Sequence, residues 1–211
     1  MLPVDAFLRR LPIIVDAAQA LQLEALVFSA DAIEVSLNII RQARAEHRER
    51  IVEATHRVRV GLFVNAWTIV DCVHVARQVL AALDVKSPLA LAFREKYASA
   101  HALRNNMDHL AGNARNIANA KSRPPIFGAL GYVFIPEEKV IEKDGRPSMT
   151  GGYIVMLTTG RFAGNATIRA VNPLDRELSA PVSAFRLEAF GETLELQDAE
   201  RTAPLAPRIG Q

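Results

Sequence analysis

Residues 121–125, Lys-Ser-Arg-Pro-Pro, divide this 211-residue chain into two stretches with different backbone preferences. A proline pair lacks the amide hydrogens that a helix interior or a central strand requires, so neither element runs across it. Upstream the only glycines are Gly61 and Gly112, and Ala, Leu, Arg and Glu dominate, a composition that favours helix. Downstream, glycine and proline recur every few residues among β-branched runs, which favours short strands joined by turns. The expected class is therefore α+β: a bundle of four to five helices over 1–122, a small antiparallel β-domain over 123–199, and a flexible tail over 200–211.

Within the first stretch, Asp31-Ala32-Ile33-Glu34 fits a capping box and predicts a helix from about Ala32. Residues 4–28 are expected to add one or two shorter helices around Pro12. Only Gly61 interrupts residues 32–84, so two helices are expected there, broken between Ala45 and Arg59. Ser87-Pro88 places a capping hydroxyl before a proline at the first helical position, predicting one further helix to about Asn119. In the second stretch, strands are expected over 126–135, 139–142, 153–159, 166–171, 184–190 and 193–197. Asp144-Gly145, Asn172-Pro173 and Gly191-Glu192 supply turns. The last hairpin alternates Phe185, Leu187 and Ala189 with Arg186 and Glu188, as in a sheet covered on one side.

Half of the residues are hydrophobic, enough to build a sizeable core. Net charge is only +2, but residues 1–123 carry 16 Lys/Arg against 12 Asp/Glu, while residues 124–211 carry 9 against 11. That asymmetry permits a polyanionic partner on the helical half without demanding one. Cys72 is the only cysteine, which excludes an intrachain disulfide, and its apolar neighbours make it a small buried hydrophobe. Met1-Leu2-Pro3-Val4-Asp5 lacks the basic start of a secretory signal, and Asn65, Asp71, His74 and Arg77 interrupt the apolar run from Val60 to Leu83. The expectation is a cytoplasmic protein of bacterial type, with no membrane span.

The Ser87 helix carries the densest chemistry. Projected at about 100° per residue, Leu103, Met107, Leu110, Ala114 and Ile117 share one arc, the expected core stripe. Opposite lie His101, Asn105, His109, Asn113 and Asn116, with Arg104, Asp108 and Arg115 along a border. Asparagine costs roughly 0.6 kcal/mol relative to alanine at an exposed helical site, yet five asparagines occupy this one element. A face merely solvated would carry Glu, Lys and Gln, so the asparagine excess points to a contact surface.

The segment Leu103-Arg104-Asn105-Asn106-Met107-Asp108-His109-Leu110 resembles the Arg-Asn-x-x-x-His signature of HEPN-superfamily ribonucleases. The resemblance covers the helical half only. It implies metal-independent endoribonuclease activity on RNA without a cofactor, in a toxin or defence setting, and a homodimer whose motif helices face each other. By the same resemblance Arg104 would hold the scissile phosphate, Asn105 would be the polar residue that follows it, and His109 would be the acid and base. His101, Asp108, Asn113 and Arg115 would then line the substrate path. Nothing carries over to the β-half, for which a protein partner or a substrate-recognition role is expected.

Other readings of the same residues stand beside this one. Arg41/His47, Arg50/His56 and Arg94/His101 meet the same loose spacing. Arg104 and Asp108 are four apart and could form a plain surface ion pair, and the face could instead be a dimer or partner surface. Residues five apart on a regular helix diverge by about 140°, so Arg104 and His109 meet at one atom only through a distorted helix or a second protomer. Arg41, Arg44, Arg48, Arg50, Arg57 and Arg59 interleave with Glu46, Glu49 and Glu53, the pattern of a salt-bridged solvated face. Glu53-x-x-His56 and Asp71-x-x-His74 have the spacing of di-iron ligands, but their histidines are 18 residues apart, about 27 Å along one helix. Asp71 and His74 are better read as an interhelical polar contact. No phosphate-cradling loop, nucleophile elbow or dinucleotide fingerprint occurs.

Overall fold

The computed structural model describes residues 16–119, 125–134, 140–143, 146–149, 151–160, 167–171 and 185–196. Helices come first and a small antiparallel sheet follows, so the α+β arrangement holds.

Helix α1 spans Ala17–His47, and its start is set by Asp16, whose carboxylate accepts from the amides of Ala18 (3.0 Å) and Gln19 (3.2 Å). The predicted start near Ala32 is wrong: Asp31 and Glu34 lie in mid-helix. The Ala- and Leu-rich run after Asp16 offers nothing to stop propagation, and each further residue gains a backbone hydrogen bond without a new nucleus. Residues 17–28, expected as a separate helix, are the first turns of α1; residues 4–15 lie outside the described residues.

A 3-10 segment, Arg48–Glu53, follows, and α2 runs from His56 to Ala82 behind the Thr55 N-cap. The break falls inside the expected window. No glycine or proline makes it; Ile51 and Ala54 turn into the core and hold the bend, and Arg59 Nε donates to the Ala54 carbonyl at 3.1 Å. By length and mean hydropathy α2 meets the measure of a membrane-crossing helix. Here it is the central helix, with Ala66, Ile69, Val70 and Val73 fully buried against Ile33, Leu37 and Ile40 of α1 and their neighbours.

The single helix expected from Ser87 to Asn119 is three: α3 Pro88–Lys96, α4 Ser99–Asp108 and α5 Leu110–Asn119. Ser87 caps α3 as expected, accepting from the Ala90 amide at 3.2 Å. At the first break the Ala98 amide bonds back to Glu95 instead of Arg94, and Tyr97 is driven inward, 1% exposed, against Phe93. Arg77 of α2 takes the released Arg94 carbonyl at 2.9 Å and also donates to Ala98 O, which accepts from the His101 amide as well, at 3.4 Å. At the second break His109 leaves helical geometry (φ −98°, ψ 18°) while its amide still reaches Asn105 O. The expected apolar stripe survives on α4 alone. Leu103 is fully buried, Met107, Leu110 and Ile117 are half-buried, Ala114 is exposed, and no residue of α5 is buried.

Among the described residues seven strands follow: β1 Ala129–Phe134, β2 Val140–Lys143, β3 Arg146–Met149, β4 Gly152–Thr158, β5 Thr167–Val171, β6 Arg186–Ala189 and β7 Glu192–Glu195. Five form an antiparallel sheet in the order β5-β4-β1-β6-β7, and β2 and β3 form a separate ribbon. The β6–β7 loop is Phe190-Gly191, one residue earlier than expected. Both have positive φ (55° and 82°), the twist that a two-residue hairpin loop needs. Strand β3, which contains Pro147, was not anticipated. The expected turns at 144–145 and 172–173, the 121–124 part of the Pro-Pro junction and the 200–211 tail lie outside the described residues.

The inner face of the sheet alternates as the sequence indicates: Leu130 and Tyr132, Val155 and Leu157, Leu187 and Ala189 are buried at every second position. Those side chains join the helical core in one continuous cluster. Arg44 of α1 stacks over Phe185 (5.6 Å), Trp67 Nε1 of α2 donates to Phe127 O (3.1 Å), and Ser99 Oγ of α4 donates to Thr193 O on β7 (2.9 Å).

Candidate functional site

Helices α2 and α4 meet along a seam whose inner side is apolar and whose outer side is polar. Ala100 and Leu103 of α4 are fully buried, which carries His101, Arg104 and Asp108 to the margin facing Asp71 and His74 of α2. Arg104 Nε lies 3.6 Å from Asp71 Oδ1 and 3.4 Å from Asp108 Oδ2, so the guanidinium is held from two elements. All three side chains are substantially exposed, from 36% to 58%, and pairs of this kind contribute only about 0.2–1 kcal/mol each. One turn away the rings of His74 and His101 stack at 5.3 Å and 20°.

His74 is 7% exposed, and its Nδ1 is buried without a hydrogen-bond partner. Burial pushes its pKa below the ordinary 6.5, the Arg104, His101 and Arg77 charges push the same way, and Asp71 opposes them. Asp71 itself is raised by desolvation, against the pull of Arg104. Burial and the Asp71 charge push the Cys72 thiol up to about 11, which leaves it an inert hydrophobe at neutral pH.

A depressed histidine pKa has a definite consequence for stability. Above pH 6.5 His74 is neutral in both folded and unfolded chains and contributes no pH dependence. As pH falls through 6.5 the unfolded chain takes up a proton that the folded chain refuses, so stability declines until the lower folded pKa is reached. Urea denaturation at a series of pH values should show this decline, and His74→Phe, which keeps a ring against His101, should flatten it. An unchanged slope in His74→Phe would remove His74 as its source.

The expected site residues divide. Arg104, Asp108 and His101 come together in the seam. Asn113 Nδ2 reaches Asn106 Oδ1 at 3.5 Å, and Asn106 Nδ2 donates to Ala102 O at 2.9 Å, so part of the asparagine excess satisfies the helix itself. Asn105, His109 and Arg115 stand exposed on the outer side, and among the described residues no hydrogen bond or ion pair joins Arg104 to His109. The alternative ion pair between Arg104 and Asp108 does form. Asp71 and His74 prove to be the partners that the motif helix uses. Their interhelical character was readable from α2, but their partners were not, because no spacing within one helix encodes the register of another. Of the arginines considered for phosphate contact, Arg44 and Arg59 are engaged in structural contacts. No group of three or more potential metal ligands occurs among the described residues.

Compared with family models, with curated proteins and with solved structures, the chain finds no match.

Proposed function

We propose that this chain is a metal-independent endoribonuclease acting on single-stranded RNA, of the HEPN-like kind its motif resembles, working in a bacterial cytoplasm in a toxin or defence setting. The observation that carries the reading is Arg104, steadied by carboxylates on two helices at an exposed margin, with the exposed imidazole of His109 closing the same helix. Its two long ion pairs are weaker than the roughly 1.5–3 kcal/mol of a hydrogen bond to a charged group, so an RNA phosphate competes for the guanidinium. In the reaction, the 2′-hydroxyl oxygen attacks phosphorus as His109 accepts its proton. The P–O5′ bond breaks, and the proton passes to the departing 5′-oxygen. Arg104 stabilises the charge that builds on the phosphoryl oxygens. Irregular geometry at His109 and a second copy of the chain are the two means by which the diverging groups converge.

A second reading is favoured by one observation: the Arg104 guanidinium already satisfies two acidic neighbours, as a strut between α2 and α4 would. On that reading the outward Asn105/His109 face is a partner surface and no bond is cleaved. Incubation of purified protein with a panel of single-stranded RNAs in EDTA separates the two. Cleavage leaving 2′,3′-cyclic phosphate ends is the expected result. Inactivity across the panel, or cleavage abolished by EDTA, overturns the nuclease reading.

A further inference from the structure

Two imidazoles in the α2–α4 seam have no chemical role in the cleavage reading: His101 of α4 and His74 of α2. His101 stands three residues before Arg104. On a helix that offset is about 60° and about 4.5 Å, which makes the two side chains neighbours on one face. His109, five residues after Arg104, ends the helix and diverges by about 140°. Of the two exposed histidines on this segment, His101 is therefore the better placed against a phosphate held by the Arg104 guanidinium.

His101 is also held. Its ring stacks on His74 at 5.3 Å and 20°, and Ser99, two residues earlier, is tied to Thr193 O on β7 at 2.9 Å. The buried His74 presents a fixed plane, and burial together with the Arg104, His101 and Arg77 charges keeps that ring neutral at neutral pH against the opposing pull of Asp71. The chemistry has a place for a second imidazole. In the displacement described above, the attacking and leaving oxygens stand on opposite sides of phosphorus. An imidazole that takes the 2′-hydroxyl proton on one side is out of reach of the 5′-oxygen on the other, and an alkoxide that departs without a proton is a poor leaving group. Along the chain His101 and His109 flank Arg104, one on each side.

We propose that His101 is a second catalytic residue, the general acid that protonates the departing 5′-oxygen, and that the stacked ring of His74 is the positioning residue that orients it. The assignment rests on the cleavage reading and adds two residues to it. The 2′-oxygen bonds to phosphorus as its proton passes to His109, the P–O5′ bond breaks, and the leaving oxygen takes its proton from His101. Once the products depart, His109 gives up a proton to water and His101 regains one, which restores the starting state.

The test uses the full chain and a single-stranded RNA made twice, once with ordinary phosphodiesters and once with sulfur in place of the bridging 5′-oxygen at the cut. A thiolate departs without protonation, so the second substrate has no use for a general acid. His101→Ala, and His101→Phe, which keeps a ring on His74, should cut ordinary RNA about 10²- to 10⁴-fold more slowly than wild type and the sulfur-linked RNA at the wild-type rate. His109→Ala should be slow on both. His74→Leu should slow ordinary RNA less than His101→Ala does and spare the sulfur-linked one, and His74→Phe should restore the loss. Because His101 is exposed, thermal melts of its variants should match wild type. Wild-type rates for both His101 variants on ordinary RNA overturn the proposal and leave the cleavage reading standing. So does equal slowing on the two substrates, which would make His101 a binding residue. A wild type that cuts no RNA fails the cleavage reading itself and takes this assignment with it.

Discussion

His109→Ala lowers RNA cleavage by about 10²- to 10⁴-fold, the usual contribution of a positioned acid–base group, and leaves the melting temperature unchanged. Clean separation is expected because His109 is exposed at the end of α4 and only its backbone is used, its amide donating to Asn105 O. Arg104→Ala is similarly severe for cleavage but also removes the tie between α2 and α4, at a cost of only about 0.2–1 kcal/mol per exposed pair. Arg104→Lys keeps a charge near Asp71 and Asp108 yet rescues cleavage poorly, since an ammonium cannot present the planar fork that a phosphoryl group accepts. His47→Ala and His56→Ala, which meet the same loose Arg–His spacing, retain activity. Cleavage rates and thermal melts on these variants decide the matter: full activity in His109→Ala ends the mechanism, and a collapse of stability in that variant ends the claim that its role is chemical.

What could be read in the chain before its structure follows the range over which each signal acts. The Ser87 cap and the one-sided alternation around Phe185 are local, set by residues within one turn or one strand of each other, and they hold. The bend between α1 and α2 falls in its expected window but is held by Ile51 and Ala54 in the core. The start of α1 was missed because two capping signals compete. Asp16 acts first, and the cooperative run behind it passes through Asp31 without stopping. The breaks in the Ser87 helix were missed for the opposite reason. What stabilises the first is Arg77, seventeen residues from Arg94 in sequence and on another helix, and a guanidinium taking up the freed Arg94 carbonyl leaves no trace in the local pattern. The candidate site follows the same rule. Arg104 and Asp108 are four apart on one helix and their pairing was foreseeable, whereas Asp71 and the His74–His101 stack depend on how α2 and α4 cross.

Phe185→Ala destabilises the whole chain by about 3–5 kcal/mol and lowers the helical and sheet signals in a single transition. The ring is 1% exposed and lies where the two halves join, over Arg44 of α1 on one side and beside Tyr132 of β1 at 5.3 Å on the other, among Ile40, Ile51, Leu62, Leu130 and Leu157. Its removal costs the transfer of the ring, the cavity left between helices and sheet, and a cation–π contact of about 0.5–1 kcal/mol. Because the helical and sheet residues of that site belong to one core cluster, neither half keeps its packing when the other opens, and unfolding is cooperative across the α/β junction. Two probes report separately. Far-UV circular dichroism follows the helices, and fluorescence of Trp67, whose indole donates to Phe127 O at 3.1 Å and packs against Phe190, follows the docking of the sheet. Coincident denaturation curves, displaced together in the variant, are expected. A fluorescence transition that moves to lower denaturant while the helical one stays in place would show that the bundle folds alone and the sheet is only an attachment to it.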